Sequence, residues 1–199
     1  MENKKGISRK IIIISFCIVI LILGIIGGAF YIQKSKPVDV IEETLPGGSV
    51  SLTYTDEENL FVIEKAIPTS DVVGTASEAA ELYFDFTVTT EMDEASLIKY
   101  SVLLVKDETV STAMNENIKV YLEKQVDGTY KKVSEPKIFE NNYKDEQIGN
   151  TIMKVHEQKK SESGSDNYRL RVWLSDTAVF DSKNSQNFGV KIAVVGSAE

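Results

Sequence analysis

The chain has 199 residues, 42% hydrophobic and 26% charged, a balance that argues against global disorder. Its net charge of −8 is unevenly divided: residues 1–36 carry six Lys/Arg against one Glu (+5), and residues 37–199 carry sixteen against 29 Asp/Glu (−13). So acidic a body argues against nucleic acid as a partner, because phosphate binding needs a cationic surface.

The N-terminal stretch "KIIIISFCIVILILGIIGGAFYIQK" has no charge between Lys10 and Lys34. Its 22 residues from Ile11 to Ile32 would span about 33 Å as a helix, enough for a hydrocarbon core of about 30 Å. Lys4, Lys5, Arg9 and Lys10 precede it, and Asp39, Glu42 and Glu43 follow soon after Lys34 and Lys36. The positive-inside rule then predicts a basic cytoplasmic N-terminus (1–10), a transmembrane signal-anchor helix (11–32) and an extracellular body. The apolar run is longer than a cleaved signal's, and "GGAFYIQ" matches a cleavage site poorly. Cys17, the only cysteine, follows Ile14, Ser15 and Phe16, which is no lipidation signal, and it leaves no intramolecular disulfide. The pilin-like alternative lacks its glutamate near the helix start. Gly24 and Gly28 form G-x-x-x-G, a spacing that lets two helices pack closely and makes them a candidate helix-dimer contact.

Residues 33–48, "QKSKPVDVIEETLPGG", read as a linker because of Pro37, Pro46, Gly47 and Gly48. From residue 49 onward, short alternating runs are divided by turn residues, the pattern of an all-β domain. "SVSLTYT" puts Val50, Leu52 and Tyr54 on one face, and "NLFVIEKAI" aligns Phe61, Ile63 and Ile67. "ELYFDFTVTT" turns Leu82, Phe84, Phe86 and Val88 inward. "LIKYSVLLV" and "NIKVYLEKQ" do the same with Ile98, Tyr100, Val102 and Leu104, then Ile118, Val120 and Leu122. Asp127-Gly128 is a strong two-residue hairpin signal. "TIMKVHEQ", "YRLRVWLSD" and "NFGVKIAVV" complete eight or nine strands. Alternation of this kind marks antiparallel sheets with one wet face. The expected fold is an antiparallel β-sandwich, Ig-like or jelly-roll-like, over 49–199. "SEAAELY" and "MDEASLIKY" each have room for one helical turn, and "EQKKSESGSDN" (157–167) reads as a hairpin tip.

Little in the sequence points to catalysis. His156 is the only histidine and shares a strand face with Lys154 and Gln158, which predicts a solvent-facing ring and no histidine-based zinc site. No nucleotide-binding motif or nucleophile elbow occurs, so no cofactor is expected. Acidic clusters at Asp56, Glu57 and Glu58 and at Glu91, Asp93 and Glu94 lack the spacing of a calcium loop and read as solvated charge. In "YRLRVWLSD", Tyr168, Leu170, Val172 and Leu174 point inward, which leaves the chain's only tryptophan on the face of Arg169 and Arg171. Stacking of Arg171 on Trp173 would account for this. The alternative is a partner contact built from Trp173, Arg169 and Arg171, since Trp and Arg are enriched in binding hot spots.

The order "AIPTSD…YFDFTVTT…YSVLLVKDE…YRLRVWLSDTAVFDSKNSQNFGVKIAVVG" resembles uncharacterised membrane-anchored surface proteins of Gram-positive-type bacteria, loosely camelysin-like ones. The resemblance covers roughly residues 49–196 and implies one sandwich domain behind an N-terminal membrane segment. Camelysin-type proteins have been linked to metal-dependent proteolysis. This chain has no H-E-x-x-H, so that activity is not carried over. The expected function is therefore a non-enzymatic, membrane-anchored surface protein that contacts a protein partner or a second copy of itself. The alternative is an accessory subunit or sensor ectodomain of a larger membrane complex, working through its transmembrane helix.

Overall fold

The structure, a computed structural model, describes residues 41–54, 60–76, 83–179 and 186–199. All described residues belong to one compact unit, Val38–Glu199. The apolar run 11–32, with Gly24 and Gly28, and the acidic cluster 56–58 lie outside the described residues. None of the described helices is long and apolar enough to cross a membrane.

The described chain is almost entirely strand, in two sheets. The larger has the order β1 (Ile41–Leu45), β2 (Gly48–Tyr54), β5 (Tyr83–Met92), β12 (Gly164–Ser175), β7 (Ile118–Val126) and β8 (Thr129–Lys132). The two-residue strands β4 (Pro68–Thr69) and β9 (Lys137–Ile138) join it on β12 and β7. The smaller has the order β10 (Tyr143–Asp145), β11 (Gly149–Lys160), β6 (Ile98–Lys106), β13 (Gln186–Ala198) and β3 (Leu60–Ala66). All pairs are antiparallel except the short β4–β12 contact. One core joins the inward faces of both sheets, including Leu52, Phe86, Tyr168 and Leu170 from the larger and Tyr100, Leu104, Phe188 and Ile192 from the smaller.

The regular strands follow from their alternation. In β5, Phe84, Phe86, Val88 and Thr90 are buried and the intervening Tyr83, Asp85, Thr87 and Thr89 are half-buried. Asp127 (φ 52°) and Gly128 (φ 75°) both adopt the left-handed conformation a two-residue I′ hairpin requires, closing β7 onto β8.

Several expectations are corrected. The linker reading of 33–48 fails at its C-terminal end, because Ile41–Leu45 forms an edge strand on β2 and Leu45 is buried. The turn at Pro46-Gly47 that suggested a linker instead closes this hairpin. Residues 157–167 are not a loop tip: β11 runs to Lys160 and β12 starts at Gly164. Residues 93–97 hold no helical turn, because the amides of Asp93, Glu94 and Ala95 all converge on the Gly47 carbonyl. The one described α-helix, α1 (Asp71–Ala76), lies upstream of "SEAAELY", whose residues 77–82 are outside the description.

Ile67 does not continue the inward register of Phe61 and Ile63. Lys65 takes φ 50°, the ladder with β13 shifts, and Ala66 is buried in its place, leaving Ile67 65% exposed. A second shift lies in β11, where Lys154 pairs with Leu103 but His156 pairs with Val102, so Val155 is the bulged residue. A bulge reverses the facing of everything beyond it, and His156 turns toward the core instead of solvent.

Candidate functional site

Three places on the domain concentrate chemistry. The first is the outer face of the larger sheet, where the sequence places Arg169, Arg171 and Trp173. The Arg169 guanidinium donates from Nε and Nη2 to the two carboxylate oxygens of Asp85, each at 2.8 Å. Its Cζ lies 4.0 Å from the Tyr83 ring centroid and 4.3 Å from that of Tyr130. Arg171 donates from Nε to Glu123 at 2.6 Å, and its Cζ is 5.5 Å from Tyr83. The register explains this lattice: Arg169 stands between Asp85 and Glu123, and Arg171 between Tyr83 and Tyr121. Above it, Thr87 and Gln125 both bond the Asn167 amide and Thr89 bonds Ser165, so the ladder continues along the sheet.

Trp173 does not join that lattice. Its side chain is 1% exposed because α1 lies across the indole, with Gly74 against the ring. A Cβ at Gly74 would sit 2.4 Å from the indole Cδ2, so only glycine permits this approach. The Asp71 carboxylate at the start of α1 accepts from Lys119 Nζ at 2.8 and 2.9 Å, fixing the helix to the strand that faces Trp173. The expected Arg171–Trp173 stack is therefore replaced by stacking of both arginines on tyrosine. Arg169, Arg171 and Trp173 lie along one strand face, but they do not form one exposed patch.

The second place lies between the sheets. Tyr100 from β6 and Tyr168 from β12 share a hydroxyl contact of 2.7 Å, and Tyr100 Oη donates to Asp166 Oδ2 at 2.6 Å. Asp166 Oδ1 takes Lys124 Nζ at 3.0 Å and Lys160 Nζ at 3.3 Å. Burial, then the neighbouring tyrosine and carboxylate, pushes the Tyr100 hydroxyl far above its ordinary range. Burial alone would raise the Asp166 carboxyl, but the hydrogen bonds from Tyr100 and Lys124 and the lysine charges bring it below its usual value. Asp166 is thus held as a carboxylate that ties β12, β7, β11 and β6 together. The sequence reading had placed it in a loop.

His156 sits beside this cluster, its ring centroid 5.8 Å from that of Tyr168. Its Nε2 is buried without a hydrogen-bond partner among the described residues. Burial lowers its pKa first of all, and Lys124 lowers it further; Gln158, Asp166 and Glu157 oppose the shift. A folded-state pKa below the unfolded value means that folding favours the neutral ring. The resulting stability is present above the unfolded pKa near 6.5 and is lost as pH falls from there through the lowered folded pKa. The expected result is a fall in unfolding free energy as pH drops below about 6.5. That slope should flatten in His156→Gln, as denaturant titration at each pH would show. An equal slope in both chains would place the titrating group elsewhere.

The third place is one end of the sandwich. The pairings Leu174↔Pro68, Leu174↔Ile118, Gln186↔Ala66 and Val190↔Lys106 bring the ends of β3, β6 and β12, the strand β4, and the starts of β7 and β13 together there. Five large apolar side chains at this end are exposed: Ile67, Val72, Val73, Met114 and Val179. The adjacent valines Val72 and Val73, in a helix with only Gly74 buried, were the one sequence signal for this patch. A cavity of about 340 Å³ opens among Ile63, Ala66, Ile67, Val73, Trp173 and Leu174. No group of three or more His, Cys, Asp or Glu residues arranged to hold a metal ion occurs among the described residues.

Compared with protein-family models, curated proteins and solved structures, the chain finds no match.

Proposed function

We propose that the protein is a non-enzymatic, single-pass membrane protein whose sandwich, Ig-like or jelly-roll-like in kind, stands outside the cell and mediates surface interaction or assembly, as its camelysin-like resemblance suggests. The observation that carries the reading is that Ile67, Val72, Val73, Met114 and Val179 are all exposed at one end of the domain. Several exposed apolar side chains gathered at one end favour a contact surface there, because each loses unfavourable hydration when a partner covers it. The basic flank and the apolar run 11–32 support the anchored topology. Asp166, bound by Tyr100 and Lys124, and Glu123, paired with Arg171, hold strands together, which fits a binding role.

Two measurements test this. Protease added to intact cells should remove an epitope placed after Glu199, and an epitope protected until the membrane is opened would overturn the topology. Neighbours crosslinked to the chain in native membranes should be lost when Val72 and Val179 both become Asp, with the melting temperature retained. Unchanged neighbours would exclude this end as the contact. The rival reading, a subunit working through its helix, draws on Gly24 and Gly28. It predicts loss of the same neighbours when residues 11–32 are replaced by an unrelated anchor.

A further inference from the structure

The bulge at Val155 separates two registers of β11 on β6, of which the folded chain shows one. In that register Lys154 pairs with Leu103 and His156 with Val102, with Val155 bulged between them. Without the bulge Val155 would pair with Val102, His156 with Ser101, Glu157 with Tyr100 and Lys159 with Ile98. This regular register is the one that alternation in the sequence favours: Val155 follows Met153 inward and His156 turns to solvent. The move is short for Val155, which already packs against the main core. It also disturbs a single ladder, because among the described residues β10 pairs with β11 only as far as Ile152. Lys159 would take the place of Lys160 opposite Ile98, so an ammonium group stays on the side of Asp166.

Protonation decides between the registers. The bulged one turns His156 toward Tyr168 and Asp166 of β12 and Lys124 of β7, with the Tyr100 hydroxyl of β6 next along on Tyr168. On β11 itself, Glu157 and Gln158 flank the ring and Lys160 lies beyond them on Asp166. The imidazole Nε2 has no partner among the described residues, and an imidazolium there faces the Lys124 charge. Glu157 meanwhile lies on the outer face, paired with Lys154 at 2.7 Å and Lys99 at 3.2 Å. The regular register reverses both positions. It releases the imidazole to water and turns the Glu157 carboxyl inward opposite Tyr100, on the side of Asp166. A carboxylate would meet like charge there, and a protonated carboxyl would not. Both residues therefore hold a proton more readily in the regular register, so acid favours it. We propose that β11 is a pH-operated switch, which in acid sheds its bulge, slips one residue along β6 and turns His156 to solvent. A one-residue slip exchanges the facing of residues 156–160 as a unit, which gives the device two discrete states. This goes beyond the contact role and holds wherever the domain resides.

His156 is the only histidine in the 199 residues, so its ring carbon reports each register in an NMR spectrum of the histidine-labelled chain. In the full chain, held in phosphatidylcholine nanodiscs, the resonance at neutral pH should show contacts with the Tyr168 ring. Below about pH 6.5 it should give way to a second one, shifted as a solvated imidazolium and without those contacts. Glu157→Gln removes the lysine pairs of one register and the carboxylate penalty of the other. It should raise the pH of equal populations by about half a unit or more. Deleting Val155 leaves the residues up to Lys154 and from His156 onward in their present pairings, with no bulge to shed. The second resonance should then be absent. A resonance that keeps its Tyr168 contacts as it titrates would overturn the proposal. So would loss of all folded resonances at once, an unmoved midpoint in Glu157→Gln, or a second resonance in the deletion chain. If the deletion chain does not fold, the Glu157→Gln midpoint decides alone. None of these outcomes depends on the crosslinking of Val72 and Val179 or on the protease result, so the two readings fail separately.

Discussion

Replacing Phe86 by alanine should lower the unfolding free energy by about 3–5 kcal/mol, the usual cost of removing a buried aromatic ring and leaving a cavity. Phe86 is 1% exposed in the middle of β5. Its ring stacks on Tyr168 at 5.3 Å with 18° between planes. Tyr168 is in turn held by the Tyr100 hydroxyl from the opposite sheet, so little can collapse into the space. With total stability of the order of 5–15 kcal/mol, the midpoint of denaturant unfolding should move far down. A midpoint within the equivalent of about 0.5 kcal/mol of the parent chain would mean that Phe86 does not pack as the β5 register places it.

Asp166→Ala should have the second large effect, about 3 kcal/mol. Removing one member of a buried ion pair typically costs 3–5 kcal/mol, because the remaining charge loses its partner and cannot recover full hydration. Here two ammonium groups and a tyrosine hydroxyl lose their acceptor at once. The lower end of the range applies because the Lys124 and Lys160 side chains keep 22% and 18% of their exposure. Asp166→Asn leaves an acceptor for Tyr100 and should lie between the two. The carboxyl's pKa is depressed in the fold, so its contribution is present above about pH 4 and is lost as pH falls below it. Parent and Asp166→Ala chains should therefore converge in acid. A loss that stays constant down to pH 2 would show that the carboxylate's charge is not what stabilises the cluster.

The inward faces were legible where the chain keeps strict period two. Phe84, Phe86 and Val88 in β5 and Tyr168, Leu170, Val172 and Leu174 in β12 are all buried as their alternation requires. The reading failed where one residue breaks the period for reasons that lie in a partner strand. The left-handed Lys65 and the bulge at Val155 each reversed what followed, misplacing Ile67 and His156. The face of Trp173 was read correctly, but its environment was not. Alternation says which side of a sheet a residue takes, not whether a helix such as Asp71–Ala76 then covers that side. Asp166 was hidden for a related reason: among Ser, Gly and Asn it looks like turn chemistry, and only pairing with Val88 in β5 makes it part of a strand. The exposed end had only Val72-Val73 as its sequence signal, since alternation placed Ile67 inward.

The left-handed residue in β3 has a consequence for how copies of the domain meet at high concentration. Among the described residues β3 ends the smaller sheet, and an outermost strand offers its unused backbone groups to any extended chain that drifts alongside. At Lys65 that offer is interrupted, because the backbone leaves the extended conformation. An invading strand could follow β3 only as far as Glu64 before its ladder broke, and Glu64 and Lys65 would bring charge to the junction. The kink thus acts as a stop against runaway sheet growth, the route by which crowded β-proteins turn into amyloid.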